Sequence, residues 1–357
     1  MNLISIVGAR PQFIKLAPLH NALSKHPGIN HIIIHTLQHY DDGMSGIFFK
    51  ELKLPQPDYQ LTPSDISIAS NIVRMKDGIT KILAGVKADM VIVFGDTNST
   101  LAGAQAAKGL EVPISHIEAG LRSYDPSMPE EFNRIETDKL SDLLFCPTLK
   151  AIENLKTERF PPAKIIFSGD IMYDALNYHL PIAKANSTDL PGEPFVLATI
   201  HRKGTVQSPQ ILIPILKAFN EINRRIKIIF PVHPATRKAI YDTGERIEFE
   251  LLEPFGYLRM LSLLDRCKLV LTDSGGIQKE AFFSKKMCVT IRTTTEWTEL
   301  VEAGVNILCG TDYSSILNAF ELAYKHNPGF GETFYGSGNS ADIVVDEIIK
   351  FVTARVR

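Results

Sequence analysis

The sequence has few cysteines, little net charge and no long apolar run, and each of these features excludes a class of protein. Its four cysteines are scattered and none lies in a C-x-x-C pair, so we expect buried free thiols without a disulfide framework. The formal net charge is −2, which argues against nucleic-acid binding and against binding to an anionic membrane. No apolar run approaches the roughly 20 residues of a membrane span.

Several familiar signals are also missing. The opening MNLISIVG lacks the basic segment of a signal peptide and is typical of a first strand, so we expect a soluble, cytoplasmic protein. No H-E-x-x-H pattern occurs, and we expect neither a metal ion nor another cofactor. Neither G-x-G-x-x-G nor G-x-x-x-x-G-K-[ST] occurs, which disfavours dinucleotide redox chemistry and P-loop hydrolysis.

Short apolar runs alternate with longer amphipathic runs along the 357 residues, the pattern of parallel sheets flanked by helices. The predicted strands are Leu3–Val7, His31–His35, Met90–Phe94, Ile114–Ile117, Leu143–Cys146, Lys164–Phe167, Phe195–Ile200, Ile226–Pro231, Glu248–Leu251, Leu269–Thr272, Met287–Ile291 and Asn306–Leu308. Predicted helices include Pro11–Lys25, Ala69–Val86, Gln210–Arg224, Tyr257–Leu264, Gly276–Phe283 and Ala341–Arg357. Pro181–Pro194, rich in Pro, Ala, Ser and Asp, is interpreted as a linker. The sequence thus predicts an α/β fold of two Rossmann-like domains that face a central cleft.

In doubly wound folds, ligands bind beyond the carboxyl ends of the strands, where three carboxylates stand out. Asp96 follows the strand Met90–Phe94, and Glu118 closes a later strand, where a carboxylate is costly unless it is paired or catalytic. Glu130 lies in the first turn of a helix that Pro129 opens. Taken alone, Asp96 is also explained as a helix N-cap, and Glu130 as an acidic residue favoured by the helix dipole in a first turn. Three neighbouring carboxylates favour an acid–base site, since neighbours push their pKa values apart.

Cations and a glycine follow the first strand. Gly8 permits a tight turn, and Arg10 and Lys15 lie about one helical turn apart. With the helix amides they make a plausible diphosphate site, and a turn with two solvated cations is the equal alternative.

The second half carries further candidates for binding an anion or a nucleotide. His201 lies at a strand end, and Ser274, Gly275 and Gly276 allow backbone amides at a helix start to approach an anion. Glu280, one turn later, is suited to accept hydrogen bonds from a ribose. Core packing alone explains an aromatic at Phe255, and the side chain is also suited to stack on a base.

The motifs GARPQFIK, QHYD, GDTNSTLAG, HIEAGLRS, MPEEFNR, DSGGIQKEA and TEWTEL, in this order, resemble those of the bacterial and archaeal UDP-N-acetylglucosamine 2-epimerase family. The resemblance runs from Leu3 to the FYGSG near Tyr335. It implies a glycosyltransferase-B-like fold and, usually, a homodimer. The implied organisation is an N-terminal domain at residues 1–180, a UDP-binding domain at residues 181–340 and a last helix, residues 341–357, packed on the first domain.

By this resemblance Asp96, Glu118 and Glu130 are the catalytic carboxylates, and His201 contacts the diphosphate and assists the departure of UDP. Binding of the UDP-sugar is assigned to a larger set of residues: Arg10, Lys15, Phe255, Ser274, Gly275, Gly276 and Glu280. Two positions depart from the usual pattern. Leu37 replaces the Gly that usually precedes the Gln-His pair. Lys203-Gly204-Thr205 follows His201-Arg202, where family members often carry Glu-Asn.

The implied function is non-hydrolysing interconversion of UDP-GlcNAc and UDP-ManNAc, by elimination and re-addition of UDP through a 2-acetamidoglucal. GARPQFIK with TEWTEL, in place of GTRPE with TERPE, is similar to the subgroup containing UDP-2,3-diacetamido-2,3-dideoxyglucuronate 2-epimerases, so that substrate is the first alternative. A hydrolysing 2-epimerase that releases UDP and ManNAc is another. A glycosyltransferase and a non-catalytic sugar-nucleotide sensor complete the alternatives.

Overall fold

The computed structural model describes residues 1–38, 49–62, 68–126, 128–186, 191–326, 328–331 and 333–356. The chain divides into two compact units. Unit 1 comprises Met1–Tyr178 and Thr333–Arg357, and unit 2 comprises His179–Glu332. No helix within the described ranges is long and apolar enough to cross a membrane.

Unit 1 contains a seven-stranded parallel sheet with the strand order β3-β2-β1-β4-β5-β6-β7. Its strands are β1 Asn2–Val7, β2 Asn30–His35, β3 Tyr59–Gln60, β4 Met90–Phe94, β5 Ile114–Ile117, β6 Leu143–Cys146 and β7 Ile165–Phe167. The central β4 is apolar and fully buried along its length, as expected for a strand covered by helices on both faces. The strand order changes direction between β1 and β4, which is where doubly wound sheets open a crevice for a ligand.

The helices of unit 1 cover both faces of this sheet. They are α1 Arg10–Leu23, α2 Ile68–Gly85, α3 Asn98–Gly109, α4 Pro129–Leu140, α5 Leu149–Thr157, the beginning of α6 Ile171–Ala185 and, from the end of the chain, α14 Ser340–Val356. As the resemblance implied, the last helix returns to the first unit: α14 packs on α1, and Lys25 Nζ lies 2.8 Å from Asp342 Oδ1. The start of α14 is fixed by Asp174, whose Oδ1 accepts a hydrogen bond from Ala341 N at 2.8 Å.

Unit 2 repeats the arrangement with a six-stranded parallel sheet in the order β10-β9-β8-β11-β12-β13. Its strands are β8 Phe195–Thr199, β9 Lys227–Pro231, β10 Glu250–Leu252, β11 Leu269–Thr272, β12 Met287–Thr290 and β13 Asn306–Leu308. Its helices are α7 Lys203–Val206, α8 Pro209–Asn223, α9 Pro234–Asp242, α10 Tyr257–Arg266, α11 Gly275–Phe283, α12 Thr298–Glu302 and α13 Tyr313–Lys325. Here the strand order changes direction between β8 and β11.

The predicted strands all occur, with boundaries displaced by no more than two residues, and the α/β class is confirmed. The two-residue edge strand β3 was missed because it has no apolar run. The predicted linker was wrong in its first part, since α6 continues through Pro181 to Ala185. Ala183 is buried, and its carbonyl accepts a hydrogen bond from Ser262 Oγ at 3.0 Å. This tertiary contact is a reason for the helix to persist past the proline.

The four cysteines are free thiols, as predicted. Three are buried, and Cys309 is partly buried. Burial raises the pKa of the Cys267 thiol to about 12, so the protonated form is favoured at neutral pH.

Candidate active site

The turn after β1 is closed by Gln12, which is 1% exposed. Its Oε1 accepts hydrogen bonds from Gly8 N at 2.8 Å and Ala9 N at 3.1 Å, and its Nε2 donates to Phe94 O at 3.0 Å. The side chain therefore ties the end of β1 to the end of β4 and needs both a donor and an acceptor, which an amide supplies. Sequence reasoning missed Gln12, although the Gln of GARPQFIK in place of the Glu of GTRPE was a visible signal.

Gly8 is required for a different reason from the one predicted. It is not among the residues with positive φ, so the turn itself does not need glycine. A Cβ at this position would instead collide with the hydroxyls of Thr36 and Ser99, which hydrogen-bond to each other at 2.6 Å. Gly8 therefore serves the close approach of two neighbouring segments.

Asp96 follows β4 through Gly95, whose φ of +64° is in the left-handed region. Asp96 Oδ2 lies 2.6 Å from Arg134 Nη2, and its backbone carbonyl accepts a hydrogen bond from Asn133 Nδ2 at 2.9 Å. Both partners lie on α4, so this helix fixes the carboxylate as well as the backbone of the turn. The Asp96 side chain stays 31% exposed and thus accessible to a ligand.

Glu118 closes β5 with a φ of +77°, a conformation that non-glycine residues rarely adopt. Its carboxylate forms an ion pair with Lys15, and both side chains are largely buried. The amides of Glu118 and Ala119 both donate to Phe145 O, at 3.1 and 3.0 Å, which holds the unusual turn. Backbone strain of this kind is found preferentially at functional sites.

Gly95 lies between the two carboxylate-bearing turns. A Cβ added there would lie 3.1 Å from Glu118 Oε2 and 3.2 Å from Lys15 Nζ. The ion pair is therefore packed directly against the residue that precedes Asp96, and the structure brings these two predicted carboxylates to adjacent strand ends.

Glu130 and Glu131 begin α4 but have opposite environments. Glu130 is exposed and, within the part of the chain that the structure describes, its side chain has no hydrogen bond. Glu131 is buried and accepts hydrogen bonds from Ser123 N at 2.9 Å and Tyr124 N at 3.0 Å. Burial raises the pKa of Glu131. These hydrogen bonds and the contact with Arg134 lower the pKa by a larger amount, so the net shift is downward. Glu131 thus holds a loop, a role that sequence reasoning missed because nothing local distinguishes two adjacent glutamates.

A network of ionisable side chains, most of them buried, lies next to the turns that carry Asp96 and Glu118. His116 on β5 contacts Asp138 on α4, with 2.7 Å between Nδ1 and Oδ1, and its Nε2 lies 2.8 Å from Gly95 O. Asp138 also contacts Arg122, with 2.8 Å between its Oδ2 and Nη1. Burial lowers the pKa of Arg122, but Glu158 and Asp138 raise it by more, so its charge is secure. Sequence reasoning singled out none of these side chains.

In unit 2, His201 follows β8 and is held by Asp273, which follows β11. The fully buried Asp273 carboxylate accepts hydrogen bonds from His201 N at 3.0 Å and Arg202 N at 2.9 Å. His201 Nδ1 lies 3.3 Å from Asp273 Oδ1, while the imidazole stays 55% exposed. Asp273 therefore orients the predicted histidine, and its place in DSGGIQKEA was the overlooked signal.

The start of α11 has the features of an anion site. Ser274 is the N-cap and its side chain accepts from Ile277 N, so the first helical amides belong to Gly275 and Gly276. Gly276 is exposed, and a Cβ added to it would meet nothing within 4 Å. A Cβ on Gly275 would collide with Glu296, whose Oε2 contacts Arg292 Nη2 at 2.9 Å. Open space thus lies beside the second glycine and not the first.

The remaining predicted binding residues are distributed as follows. Arg10 is exposed at the start of α1, whereas Lys15 is buried against Glu118, so the alternative of two solvated cations does not hold for Lys15. Glu280 is 7% exposed. Phe255 is half-buried, with the Arg259 guanidinium 4.4 Å from its ring centroid.

Two departures from the family pattern have a structural counterpart. Leu37 has a φ of +55°, which explains why glycine suits this position. Trp297, in TEWTEL, donates its indole N–H to Gly275 O at 3.0 Å, and Lys279 Nζ lies 4.2 Å from its ring centroid. In the QHYD motif, only Gln38 belongs to the described residues.

Comparison with known proteins gives concordant results. A family model described as UDP-N-acetylglucosamine 2-epimerase matches residues 21–349. The chain is 44% identical to the UDP-2,3-diacetamido-2,3-dideoxy-D-glucuronate 2-epimerase of Pseudomonas aeruginosa, over 98% of this chain and 100% of that one. It matches the Methanocaldococcus jannaschii UDP-GlcNAc 2-epimerase, solved with UDP-GlcNAc and UDP, with a TM-score of 0.91 and 37% identity over 98% and 100% of the two chains. A Phytolacca americana protein, solved with UDP-2-fluoro-glucose and pterostilbene, shares the fold alone, with a TM-score of 0.60 and 12% identity over 99% of each chain.

Proposed function

Because this chain belongs to the UDP-N-acetylglucosamine 2-epimerase family, we propose that it is a non-hydrolysing enzyme that interconverts UDP-GlcNAc and UDP-ManNAc. Its relatives are named as UDP-sugar 2-epimerases, which are isomerases acting on carbohydrates. The observation that carries the proposal is the pairing of Asp96 with Arg134 and of Glu118 with Lys15 at adjacent strand ends. Two oriented carboxylates beside a crevice are what proton transfer at C2 requires.

The chemistry explains why carboxylates are needed. The C2–H bond of a sugar is a poor acid, so its proton leaves only as the C1–O bond to UDP breaks and positive charge builds at C1. A carboxylate takes the proton, the C2–H electron pair forms the C1–C2 double bond, and the C1–O pair leaves with UDP. The products are a 2-acetamidoglucal and UDP. UDP then adds back while a proton reaches the opposite face of C2, which inverts that centre.

Departure of UDP is assigned to the cationic and amide groups. Arg10, His201 and the amides of Gly275 and Gly276 are suited to stabilise the leaving diphosphate electrostatically. Asp273 supports this assignment for His201, because its contact with Nδ1 leaves Nε2 for the ligand. Phe255 and Glu280 are assigned to the uracil and the ribose. Lys15 is assigned to the sugar side of the reaction, since it contacts Glu118.

A second candidate substrate is UDP-2,3-diacetamido-2,3-dideoxyglucuronate. It is favoured by the 44% identity to the Pseudomonas enzyme named for that substrate, against 38% to the Methanocaldococcus UDP-GlcNAc 2-epimerase. The proposed chemistry at C1 and C2 is the same for both sugars. The difference lies at C3 and C6, where the second sugar carries an acetamido group and a carboxylate.

Proton and phosphorus NMR in deuterated water tests the proposal. With UDP-GlcNAc we expect UDP-ManNAc that carries deuterium at C2 and retains its diphosphate ester. We expect the Glu118→Gln variant to turn over at least about 10²-fold more slowly. Free UDP with N-acetylmannosamine would instead identify a hydrolysing enzyme. Epimerisation of UDP-2,3-diacetamido-2,3-dideoxyglucuronate at C2, without reaction of UDP-GlcNAc, would select the second candidate. Consumption of the UDP-sugar only when an acceptor is supplied would identify a glycosyltransferase and refute both.

The homodimer and the cytoplasmic location remain predictions. Sedimentation of the purified chain tests the first. Fractionation of the source cells tests the second.

A further inference from the structure

His116 joins the two turns that carry Asp96 and Glu118. It lies on β5 two residues before Glu118, and its Nε2 lies 2.8 Å from the carbonyl of Gly95, the residue before Asp96. The side chain is completely buried, so it reaches no ligand and is not itself a catalytic residue. Any displacement of this ring would move the backbone on both sides of the carboxylate pair.

The contacts of His116 fix its protonation state. Gly95 O is only an acceptor, so Nε2 must carry a hydrogen. Nδ1 lies 2.7 Å from Asp138 Oδ1. Asp138 Oδ2 in turn accepts from Gly120 N at 3.2 Å and lies 2.8 Å from Arg122 Nη1. An aspartate beside a guanidinium is ionised, so Nδ1 also donates, and the ring is an imidazolium.

The second partner of each group makes this arrangement rigid. Arg122 is held by Glu158 through two hydrogen bonds of 2.7 Å, from Nε and Nη2. The amide of Gly120, two residues after Glu118, is fixed by Asp138. This network of side chains therefore fixes the backbone before and after Glu118, and it also contacts the Gly95 carbonyl.

We propose that His116, kept protonated by Asp138, is a positioning residue that sets the separation of the Asp96 and Glu118 carboxylates. Gly95 is also the residue against which the Glu118–Lys15 pair packs, so a shift of its carbonyl reaches both turns. The inference rests on the proposed epimerase function, because the positions matter only if both carboxylates act at C2. A displacement of about 1 Å at such a site lowers a rate about 10²-fold.

The test compares His116→Leu and Asp138→Leu, which remove the donor or its partner, with Asp138→Asn. In Asp138→Asn, the amide Nδ2 can donate to Nδ1 of a neutral His116 ring. The ring then still donates a hydrogen bond from Nε2 to Gly95 O. The matched control is Ser115→Ala on the same strand, because the buried Ser115 hydroxyl has no hydrogen-bond partner within the described residues.

We expect both leucine variants to lose about 10²-fold in kcat, with KM and the Kd for UDP changed less than about threefold. Asp138→Asn should stay within about tenfold of the wild type, and Ser115→Ala should be unchanged. Leucine variants with wild-type kcat would overturn the proposal. So would an Asp138→Asn enzyme as slow as Asp138→Leu, with UDP binding and thermal stability lost in parallel, because that result indicates packing alone.

A measurement that does not depend on catalysis separates this inference from the proposed function. Nitrogen NMR of the wild-type protein should show both ring nitrogens of His116 protonated at neutral pH. A protein without epimerase activity that still shows this doubly protonated ring refutes the function and leaves the ring contacts supported. An unprotonated Nδ1 or Nε2 overturns the inference whether or not the enzyme is active.

Discussion

Lys15 on α1 and Glu118 at the end of β5, 103 residues apart in the sequence, form an ion pair. Their side chains are only 8% and 12% exposed, so neither charge is well solvated without the other. A buried pair of this kind contributes less to stability than the loss of one member costs. Its presence beside Asp96 is therefore better explained by catalysis than by stability.

This pairing predicts a characteristic double-mutant cycle. Lys15→Met should lower the free energy of unfolding by about 3 kcal/mol, because it removes the cation that contacts the largely buried Glu118 carboxylate. Adding Glu118→Gln should recover about 1–3 kcal/mol of that loss. All three variants should lose at least about 10²-fold in kcat. Urea denaturation and NMR turnover measure both quantities, and additive stability losses would contradict the coupling.

Glu130 and Glu131 should separate catalysis from stability. Glu130→Gln should lose about 10²–10⁴-fold in kcat with almost no change in unfolding free energy, because the side chain is exposed. Glu131→Gln should lose about 2 kcal/mol of stability, because the buried carboxylate holds the amides of Ser123 and Tyr124. Its kcat should fall less than that of Glu130→Gln. The reverse ranking of the two kcat values would reassign the catalytic carboxylate.

Gly95→Ala should damage activity more than its backbone strain explains. Both Gly95 and Gly244 have positive φ, +64° and +69°, so the backbone strain of alanine at either should cost about 1–2 kcal/mol. At Gly244 nothing lies within 4 Å of an added Cβ, whereas at Gly95 the Glu118–Lys15 pair must give way. We expect a kcat loss of at least about tenfold for Gly95→Ala and none for Gly244→Ala. Equal kcat of the two folded variants would refute this.

Gly276→Ala tests the anion site of unit 2. An added Cβ meets no protein atom, so the variant should fold normally and gain a few tenths of a kcal/mol from helix propensity. If the diphosphate lies against this glycine, the Kd for UDP measured by calorimetry should rise at least about tenfold. Unchanged UDP affinity would place the diphosphate elsewhere. Gly275→Ala should differ by destabilising the fold, because its Cβ collides with Glu296.

Asp174 should make the anchoring of α14 depend on pH. Burial raises the pKa of its carboxyl to about 6, although the hydrogen bond from Ala341 N lowers it in part. The folded state therefore binds this proton more tightly than the unfolded state, whose carboxyl has its ordinary pKa of about 4. Its contribution to stability is present below about pH 4 and is lost as the pH rises to about 6, by roughly 1.4 kcal/mol per pKa unit. The unfolding free energy of the wild type minus that of Asp174→Asn should fall by about 2–3 kcal/mol over that range, and a constant difference would contradict the shift.

The strands and many of the helices could be read from the sequence because their signal is local. Parallel strands buried on both faces are continuous apolar runs, and MVIVF at β4 is one of them. The exceptions depended on distant partners. Tyr59–Gln60 is a strand only because it pairs with Ile34 and His35, and α6 passes Pro181 where Ser262 contacts Ala183.

The sequence by itself determined the fold class, the family and the strand ends at which chemistry was expected, since these follow from periodicity and ordered motifs. It did not determine which charged side chains meet. Lys15 was expected beside Arg10 and lies on Glu118; Glu131, His116, Asp138 and Asp273 were not expected at all. Helical and strand periodicities are set by neighbours along the chain, whereas ion pairs and hydrogen bonds join segments brought together only when the sheet assembles. The tertiary structure alone decided the pairings of Lys15, His116 and Asp273, because their partners lie between 22 and 103 residues away.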